Sequence, residues 1–304
     1  MSFYLALDVG GTKTDYVLVD ETRELARVRT GTIKRMRTDD VTATRHLEEA
    51  LARLTSLSGV PMGAVQCTCV GTAGESVPLV ADWLRTAFAA RVSGKLLLLG
   101  DVEIALDAAF PGKPGIVVIA GTGSNVAGRS HGGDFFNAGG WGPALADQGS
   151  GHRIGLQALR ATFLGLDEGE PGMLLPEILG FWGLGSRELL VEYANASPAP
   201  DFSALTGIVL ACAEQGDRIA QAVLKREGEE LAYLVRLVAR RLRRLSPDAD
   251  WVPQLACTGS ILEKVAPVRD SLVASLREEF PAIEAPVGVV DPLAGAIWRA
   301  RRGH

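Results

Sequence analysis

Two short turns rich in glycine and threonine carry the residue types best suited to binding phosphate. The first, Asp8–Thr14, follows the apolar run Phe3–Leu7, and the second, Gly121–Ser124, follows Ile116–Ile119. Small residues at the end of a strand allow several backbone N–H groups to point at one anion. Two such turns predict a nucleotide held through its phosphates. The nucleotide-binding residues predicted in them are Gly10, Gly11, Thr12, Lys13, Thr14, Gly121, Thr122, Gly123 and Ser124.

The spacing in the first turn excludes two common nucleotide-binding motifs. It lacks the GxxxxGK[ST] pattern of a P-loop, and it leads into a second β-prone run rather than the helix of a Rossmann fingerprint. The interpretation that remains after these exclusions is a phosphate site in a β-hairpin turn. Gly10 and Gly11 permit positive φ angles and the close approach of a phosphate. Thr12 and Thr14 add hydroxyl donors, and Lys13 faces either phosphate or solvent.

Two aspartates at strand ends have catalytic potential. Asp8 precedes the first glycine pair, where a carboxylate suits a Mg²⁺ ion shared with phosphate oxygens. Its alternative role is to hydrogen-bond the backbone of its own turn. Asp101 follows the buried run Leu96–Leu99 and precedes a helix, so it could take a proton from an attacking hydroxyl. Its alternative role is to cap that helix.

A long glycine-rich segment and a third turn provide candidate ligand contacts. The segment from Asn137 to Gly151 contains Trp141 and Asp147. Its length and glycines suit an aromatic wall beside a sugar whose hydroxyls bind Asp147. The alternative is a tightly folded connector with a buried tryptophan. The turn at Gly259-Ser260 approaches the base or ribose of a nucleotide, or else begins a helix.

Composition limits the class of protein. The chain has 304 residues and a net charge of −5, which argues against a nucleic-acid or membrane-surface partner. It lacks both the ~18-residue apolar run of a membrane span and the pattern of a signal peptide. The cysteines lack metal-ligand spacing and are interpreted as reduced thiols in a cytoplasmic protein. They are Cys67, Cys69, Cys212 and Cys257.

Hydrophobic periodicity predicts an α/β protein with mixed sheets covered by helices. A strand, a glycine turn and a strand occur near the start of the chain and again after Pro111–Gly115, which marks a domain boundary. Mostly helical sequence follows from 150 to 245. Strands are predicted at 3–8, 15–20, 24–30, 65–70, 95–99, 116–120, 125–130, 135–138 and 254–257. Helices are predicted at 42–57, 77–91, 102–110, 218–245 and 292–302.

Taken together, six motifs resemble the sugar kinase/Hsp70/actin superfamily. Within it, the chain is similar to the group of N-acetylglucosamine kinases and BadF/BadG/BcrA/BcrD ATPases. The motifs are DVGGTKT, LGDVEIAL, IAGTGSN, GGWGPALADQGSG, CTGS and PLAGAIWRA. The resemblance implies two ribonuclease-H-like domains that close over ATP and a substrate in an interdomain cleft. The first comprises 1–112 and 291–304, and the second comprises 113–290 with a helical insertion.

The resemblance also assigns roles to residues. Asp101 matches the catalytic base, which takes precedence over the helix cap, and Asp8 is placed beside Mg²⁺, which it binds through water. Gly259 and Ser260 match the adenosine motif, and the two turns match the phosphate loops. The implied substrate-binding residues are Thr72, Asp101, Gly140, Trp141, Asp147 and Gln148.

The implied activity is transfer of a phosphoryl group from Mg·ATP to a hydroxyl of an amino sugar. N-acetylglucosamine, glucosamine and related N-acetylhexosamines are the candidate sugars, and a cytoplasmic homodimer is expected. Two departures from the pattern bear on the sugar. Gln148 stands where relatives carry Glu, and the 31–37 loop lacks the Asn typical of N-acetylglucosamine kinases.

The cations of that loop leave the acceptor open. Lys34, Arg35 and Arg37 either favour an acidic amino sugar such as N-acetylmuramic acid or form a solvated surface. Two other functions compete with a kinase: a BadF-type ATPase that activates a partner enzyme, and a sugar-sensing module that does no catalysis.

Overall fold

The chain folds into two compact units. Unit 1 comprises Met1–Lys113 and Val290–His304, and unit 2 comprises Pro114–Val289. The computed structural model describes residues 1–248, 251–286, 288 and 290–303. Residues 249, 250, 287, 289 and 304 of the predicted domain ranges lie outside the described residues.

Unit 1 contains a five-stranded mixed sheet. Its strands are β1 (Phe3–Val9), β2 (Lys13–Val19), β3 (Glu24–Gly31), β4 (Val65–Thr72) and β5 (Lys95–Leu99). The order is β3-β2-β1-β4-β5, with an antiparallel β1–β2–β3 meander and with β4 and β5 parallel to β1. The carboxyl ends of β1, β4 and β5 therefore lie at one edge. Asp8 pairs there with Gly71, and Gly71 pairs with Leu99.

Helices cover both faces of this sheet. They are α1 (Asp40–Ser58), α2 (Pro78–Ala89), α3 (Asp101–Ala109) and α11 (Pro292–Arg302), with a 3₁₀ turn at Met62–Ala64. On one face, Leu5 and Leu7 join a core with Leu47 of α1 and Leu84 of α2. On the other face, Ala6 joins residues of α3 and α11. Burial on both faces explains why β1 is almost continuously apolar.

α3 is held tightly between β4 and α11. A Cβ added to Gly71 of β4 would lie 2.0 Å from Ile104 Cδ1, and one added to Gly295 of α11 would lie 1.8 Å from the carbonyl oxygen of Ile104. Arg299 of α11 pairs with the fully buried Asp107 and, at 3.1 Å, with Glu103. These contacts determine where α3 begins, and therefore where Asp101 lies.

Unit 2 contains a four-stranded sheet and most of the helical sequence. Its strands are β6 (Gly115–Ala120), β7 (Ser124–Arg129), β8 (Phe135–Gly139) and β9 (Leu255–Thr258). The order is β8-β7-β6-β9, with β9 parallel to β6 and the other pairs antiparallel. β6 ends at the second glycine turn and β9 at the third, so both turns lie at one edge of the sheet.

A long amphipathic helix organises the helical part of unit 2. The helices are α4 (Gly151–Asp167), α5 (Leu174–Trp182), α6 (Arg187–Ala194), α7 (Thr206–Glu214), α8 (Arg218–Arg244), α9 (Ser260–Lys264) and α10 (Ala266–Arg277), with a 3₁₀ turn at Phe202–Leu205. Leu224, Leu231 and Val235 of α8 enter the main core. In the described part of the chain, no helix is long and apolar enough to cross a membrane.

The predicted α/β class, with mixed sheets covered by helices, is confirmed. After β9, where the turn at Gly259-Ser260 leads into helical sequence, the chain forms a short helix, α9, and a longer one, α10, that meet at Val265. Val265 and Val268 are both buried, so the bend lets each helix face the core of unit 2.

We predict that Gly295→Ala lowers the free energy of unfolding by about 2–4 kcal/mol, because its methyl group would overlap the Ile104 carbonyl. Urea unfolding measures the change. Gly180→Ala in α5 is the matched control, since an added Cβ meets no atom within 4 Å there. That variant should be as stable as the wild type or up to about 1 kcal/mol more stable. A Gly295→Ala variant as stable as Gly180→Ala would contradict the packing.

Candidate active site

In unit 1, Asp8 and Asp101 come together at the edge formed by the ends of β1, β4 and β5. The pKa of Asp8 is raised to about 6, mainly by burial and also by the charges of Asp101, Asp15 and Asp291, while Lys13 opposes the shift. Burial also raises the pKa of Asp101. The N–H of Val102, which donates to Asp101 Oδ1 at 2.8 Å, opposes this shift. Both aspartates are therefore partly desolvated, and Asp8 also lies among other carboxylates, whereas the charge of Lys34 lowers the pKa of Asp101.

Asp101 is not the N-cap of α3. The cap is Gly100, and Asp101 is the first helical residue, with its carboxylate turned toward the neighbouring Val102 N–H. The alternative of a helix-capping aspartate is therefore wrong. The side chain is half-buried, and it combines a fixed hydrogen bond to the backbone with a raised pKa.

The β1–β2 turn is tight. Gly10 suits it because the Lys13 carbonyl lies close to Gly10, and not because Gly10 has a positive φ. The Gly10 N–H donates to the Lys13 carbonyl at 3.0 Å, and a Cβ on Gly10 would lie 3.1 Å from that oxygen. The described glycines with positive φ do not include Gly10 or Gly11, so neither residue uses the positive φ angles that glycine permits. Gly11, Thr12 and Lys13 form the exposed tip, where a phosphate can approach the backbone.

Two threonines predicted to contact ligands hold the backbone instead. Thr14 is fully buried, and its Oγ1 accepts from the Ile33 N–H at 3.2 Å. Thr72 is also fully buried, and its Oγ1 donates to the Val9 carbonyl at 3.2 Å. Thr14 ties the turn to the segment after β3, and Thr72 ties the ends of β1 and β4 together. We therefore assign both residues a positioning role.

Glu75 is a charged neighbour of the site that sequence reasoning missed. Its carboxylate packs against Gly100, 3.8 Å from where a Cβ would stand, and it attracts the ammonium group of Lys34. Glu75 follows the end of β4 by three residues. That signal is available in the sequence, because the strand edge collects the residues that follow each parallel strand.

The residues around Asp8 suit a divalent cation. Asp101, Asp15 and Asp291 leave Asp8 with excess negative charge, which a cation would offset. Within the described ranges, no three His, Cys, Asp or Glu side chains converge on a common metal position. One carboxylate with water and phosphate oxygens is an ordinary ligand set for Mg²⁺, so the residues fit the ion.

In unit 2, the β6–β7 turn is anchored to the start of α4. The Gly151 N–H donates to the Gly121 carbonyl at 2.8 Å, and the His152 N–H donates to the Thr122 carbonyl at 3.3 Å. Ser124 donates its hydroxyl to the Gln148 carbonyl at 2.7 Å. Thr122 and Gly123 remain exposed at the tip, which leaves the turn accessible to a phosphate while its base is rigid.

Asp147 stabilises the β6–β7 turn through a hydrogen bond to its backbone. Its Oδ1 accepts from the Ser124 N–H at 3.3 Å, and the side chain is only 6% exposed. Burial raises the pKa of Asp147, while the Ser124 N–H and His152 oppose the shift. Asp147 thus positions the second glycine turn, whatever contact it makes with a sugar.

The glycine-rich segment exposes Trp141, and one amide oxygen of the segment and one of β7 lack partners among the described residues. Trp141 is 69% exposed, so the alternative of a connector with a buried tryptophan is wrong. Gly140 has a positive φ of 73°, and a Cβ there would lie 2.4 Å from Asn125 Nδ2. Asn125 Oδ1 and Gln148 Oε1 are buried without hydrogen-bond partners among the described residues. Such acceptors are available to the hydroxyl groups of a ligand.

Sequence reasoning also missed Glu227 of α8, a fully buried carboxylate. Its Oε2 accepts from the Gly149 N–H at 2.7 Å, and its Oε1 accepts from Arg153 Nε at 3.1 Å. Burial raises its pKa, whereas the Gly149 N–H and Arg153 lower it. The available signal was a glutamate within the apolar face of a helix, where Leu224 and Leu231 flank it. Glu227 therefore ties the end of the glycine-rich segment to α8.

A cavity of about 350 Å³ lies beside the second and third turns. Gly259 has a φ of 100°, and a Cβ there would lie 2.4 Å from the Ala120 carbonyl oxygen, so only glycine fits. Ser260 Oγ lies 3.7 Å from the Cβ position of Gly121, which brings the two turns together. The lining includes Thr122, Gly207, Leu210, Ser260 and Ile261. Its size suits a nucleoside.

The two mixed sheets and their glycine turns form an actin-like sugar-kinase fold. A ROK hexokinase from Thermus thermophilus superposes with a TM-score of 0.63 over 99% of each chain, at 16% identity. The model of the BadF/BadG/BcrA/BcrD ATPase family matches residues 5–300. The chain belongs to the BadF/BadG/BcrA/BcrD ATPase family, which confirms the resemblance seen in its motifs.

Two relatives match over nearly their whole length. An N-acetylmuramic acid/N-acetylglucosamine kinase from Clostridium acetobutylicum is 28% identical over 99% of each chain. An N-acetyl-D-glucosamine kinase from Dictyostelium discoideum is 27% identical over 98% of this chain and 97% of its own. With the family and the fold, these similarities make the protein an ATP-dependent carbohydrate kinase.

We predict that Asp8→Asn stabilises the protein at pH 8 in EDTA by about 2 kcal/mol. The pKa of Asp8 rises from 3.8 to about 6 on folding, so the wild type loses stability as the pH rises from 4 to 6. The gain should therefore vanish near pH 4. Urea unfolding at several pH values measures it. Asp82→Asn, on an exposed aspartate, should give no such gain. Equal stability of Asp8→Asn and wild type at pH 8 would refute the prediction.

Proposed function

We propose that the protein transfers the γ-phosphoryl group of ATP to a hydroxyl of an N-acetylated amino sugar. The observation that carries the proposal is Asp101, a half-buried carboxylate at the carboxyl end of β5 with a raised pKa. The two kinase relatives support an N-acetylated hexosamine as the acceptor.

Asp101 is proposed to act as the general base. The acceptor hydroxyl donates a hydrogen bond to a carboxylate oxygen of Asp101, which takes the proton as the sugar oxygen attacks the γ-phosphorus. The bond between that phosphorus and the β–γ bridging oxygen breaks, and ADP leaves. The Val102 N–H, which holds one carboxylate oxygen, fixes the orientation of the other. Burial keeps the basicity of Asp101 above that of a free aspartate.

The exposed tips of two turns are proposed to bind the phosphates. Gly11, Thr12 and Lys13 offer backbone N–H groups and a cation in unit 1, and Thr122 and Gly123 offer donors in unit 2. Asp8 would hold Mg²⁺ through water. When bound, the ion supplies positive charge that offsets the charge on the phosphate oxygens.

The cavity of unit 2 is proposed to hold the adenosine. Leu210 and Ile261 provide apolar walls, while Ser260 and Thr122 provide hydroxyl groups. This mixture of apolar surface and few polar groups is typical of a pocket for a planar base and its ribose. Gly259 and Ser260 thereby keep their proposed role in nucleotide binding.

For Trp141, Gly140 and Gln148, contact with the sugar remains a proposal. An exposed tryptophan can stack on the apolar face of a sugar ring, and the acceptor oxygen of Gln148 lacks a partner among the described residues. We also propose a cytoplasmic homodimer that does not bind nucleic acid or membranes.

The alternative of an ATPase that activates a partner enzyme lacks a supporting observation. All four cysteines are buried and outside disulfides, and the described chain brings no cysteine cluster together for an iron–sulfur centre. Cys67 and Cys69 lie side by side on β4, and burial raises the pKa of both thiols. A sugar-sensing module without catalysis is equally unsupported, because Asp8, Asp101 and both glycine turns are present.

Asp101→Asn should lower kcat for sugar phosphorylation by about 10²–10⁴-fold and leave KM for ATP unchanged, because the base is lost and the phosphate turns remain. In the wild type, kcat/KM should fall as the pH drops through the raised pKa of Asp101. An ADP-release assay measures both effects. Asp82→Asn should behave as wild type. Full activity of Asp101→Asn would disprove the role of Asp101 as the general base.

Gly207→Leu should raise KM for ATP by about 10-fold or more without changing KM for the sugar. Gly207 lines the unit 2 cavity, and an added Cβ meets no atom within 4 Å, so leucine fills space without strain. Gly180→Leu, at an equally open position in α5, is the matched control. If the two variants have the same KM for ATP, the cavity does not bind the nucleotide.

A further inference from the structure

The segment between β3 and α1 is pinned to the β1–β2 turn. Thr32 donates its N–H to the Thr12 carbonyl at 3.2 Å and its hydroxyl to the Gly10 carbonyl at 2.7 Å. The N–H of the fully buried Ile33 donates to Thr14 Oγ1 at 3.2 Å. The residues after Ile33 therefore begin from a fixed position beside the proposed phosphate turn.

Lys34 and Arg37 lie in one tight turn directly after this anchor. The Lys34 N–H donates to Thr32 Oγ1 at 3.0 Å, and the Arg37 N–H donates to the Lys34 carbonyl at 2.8 Å. Arg37 Nε lies 4.0 Å from where a Cβ on Gly11 would stand. Arg37 is exposed and Lys34 is half-buried. The turn thus carries two cations next to the edge where Asp8 and Asp101 lie.

The ammonium group of Lys34 is close enough to two carboxylates of the site edge to interact with them electrostatically. The carboxylates of Asp101 and Glu75 attract it, and the guanidinium of Arg37 repels it. Glu75 packs against Gly100, the residue before the proposed base. Since Asp101 contacts the acceptor hydroxyl in the proposed mechanism, a side chain that interacts with Asp101 lies near the acceptor sugar rather than the adenosine.

The third cation of the loop has a different function. Arg35 Nη1 donates to the Thr38 carbonyl at 2.6 Å, and Arg35 Nε lies 3.7 Å from Asp40 Oδ1 at the start of α1. Arg35 therefore anchors the loop to that helix. Lys34 and Arg37 are the two cations that face the site edge, and the loop around them is rigid enough to define a binding position.

We propose that Lys34, assisted by Arg37, binds a carboxylate substituent on the acceptor sugar, so that the substrate class includes acidic amino sugars. The inference rests on the proposed kinase function and names a specificity-determining residue within it. Asp8, Asp101 and Glu75 would repel an anionic sugar, and a partly desolvated ammonium group beside them offsets that repulsion. An ammonium and a guanidinium group together can hold both oxygens of a carboxylate.

A comparison of three sugars isolates the contribution of the carboxylate to recognition of the acceptor. N-acetylmuramic acid carries a lactyl carboxylate, its carboxamide has nearly the same shape without the charge, and N-acetylglucosamine lacks the lactyl group. In the wild type, kcat/KM for the acid should exceed that for the carboxamide by about 10-fold or more, as for a charge-assisted contact. Equal values for the acid and the carboxamide would overturn the proposal.

Variants then assign the effect to Lys34. Lys34→Met should abolish the preference for the acid over the carboxamide, lowering kcat/KM for the acid by more than that for either neutral sugar, and Lys34→Arg should retain part of the preference. Lys225→Met, on the exposed face of α8, is the control and should match the wild type. A Lys34→Met variant that loses activity equally on all three sugars, or raises KM for ATP, would place Lys34 at the phosphates and overturn the proposal.

The experiment distinguishes a failure of the proposed kinase function from a failure of the proposed role of Lys34. If wild-type protein phosphorylates none of the three sugars with ATP, the kinase proposal is wrong. If it phosphorylates the neutral sugars with no preference for the acid, the kinase proposal stands and the role of Lys34 is wrong.

Discussion

The parallel, in-register pairing of β1, β4 and β5 is the constraint on which the candidate site of unit 1 depends. It brings three strand ends to one edge, so that Asp8, Thr72 and Asp101 become neighbours although they lie far apart in the chain. The cost is electrostatic: Asp8 is partly desolvated among other carboxylates, and its pKa rises to about 6. A site that accumulates negative charge in this way is suited to cations and to the protons of a hydroxyl group.

The position of Asp101 depends on packing rather than on its local sequence. α3 fits between β4 and α11 because Gly71 and Gly295 leave room for Ile104. Arg299 fixes the same helix through the buried Asp107. The last helix of the chain thereby determines the geometry of a residue almost two hundred positions earlier, as the 192-residue separation of that ion pair shows.

Unit 2 supports its glycine turn through buried carboxylates. Asp147 holds the Ser124 N–H, and Glu227 holds the Gly149 N–H together with Arg153. A buried carboxylate that accepts backbone N–H bonds is a strong, directional anchor, whereas without such partners it would be costly. The tip of the turn, at Thr122 and Gly123, is consequently exposed on a rigid base, which suits repeated binding and release of a phosphate.

Much of the fold could be predicted from the chain. Short apolar runs ending in glycine identified the strands, and the spacing of leucines identified helices such as α1 and α8. The boundaries of β5 and α11 agree with prediction to the residue. The roles of Thr14 and Thr72 could not be predicted, because a threonine near a glycine turn has the same local sequence whether its hydroxyl meets a ligand or the backbone. The positions of Glu75 after β4 and of Glu227 within an apolar helix face are visible in the sequence, but their contacts with Gly100 and Gly149, which are distant in sequence, are not.

The sequence by itself determined the element types, the glycine turns and the family, because these depend on local periodicity, on small residues at strand ends and on motif spacing. Tertiary structure decided which polar groups are available to a ligand. It buried Thr14, Thr72 and Asp147 as supports, left Trp141 exposed, and placed Lys34 beside Asp101 and Glu75. The physical reason is that burial, pKa and hydrogen-bond partners come from atoms brought together by the fold, and local sequence does not encode those neighbours.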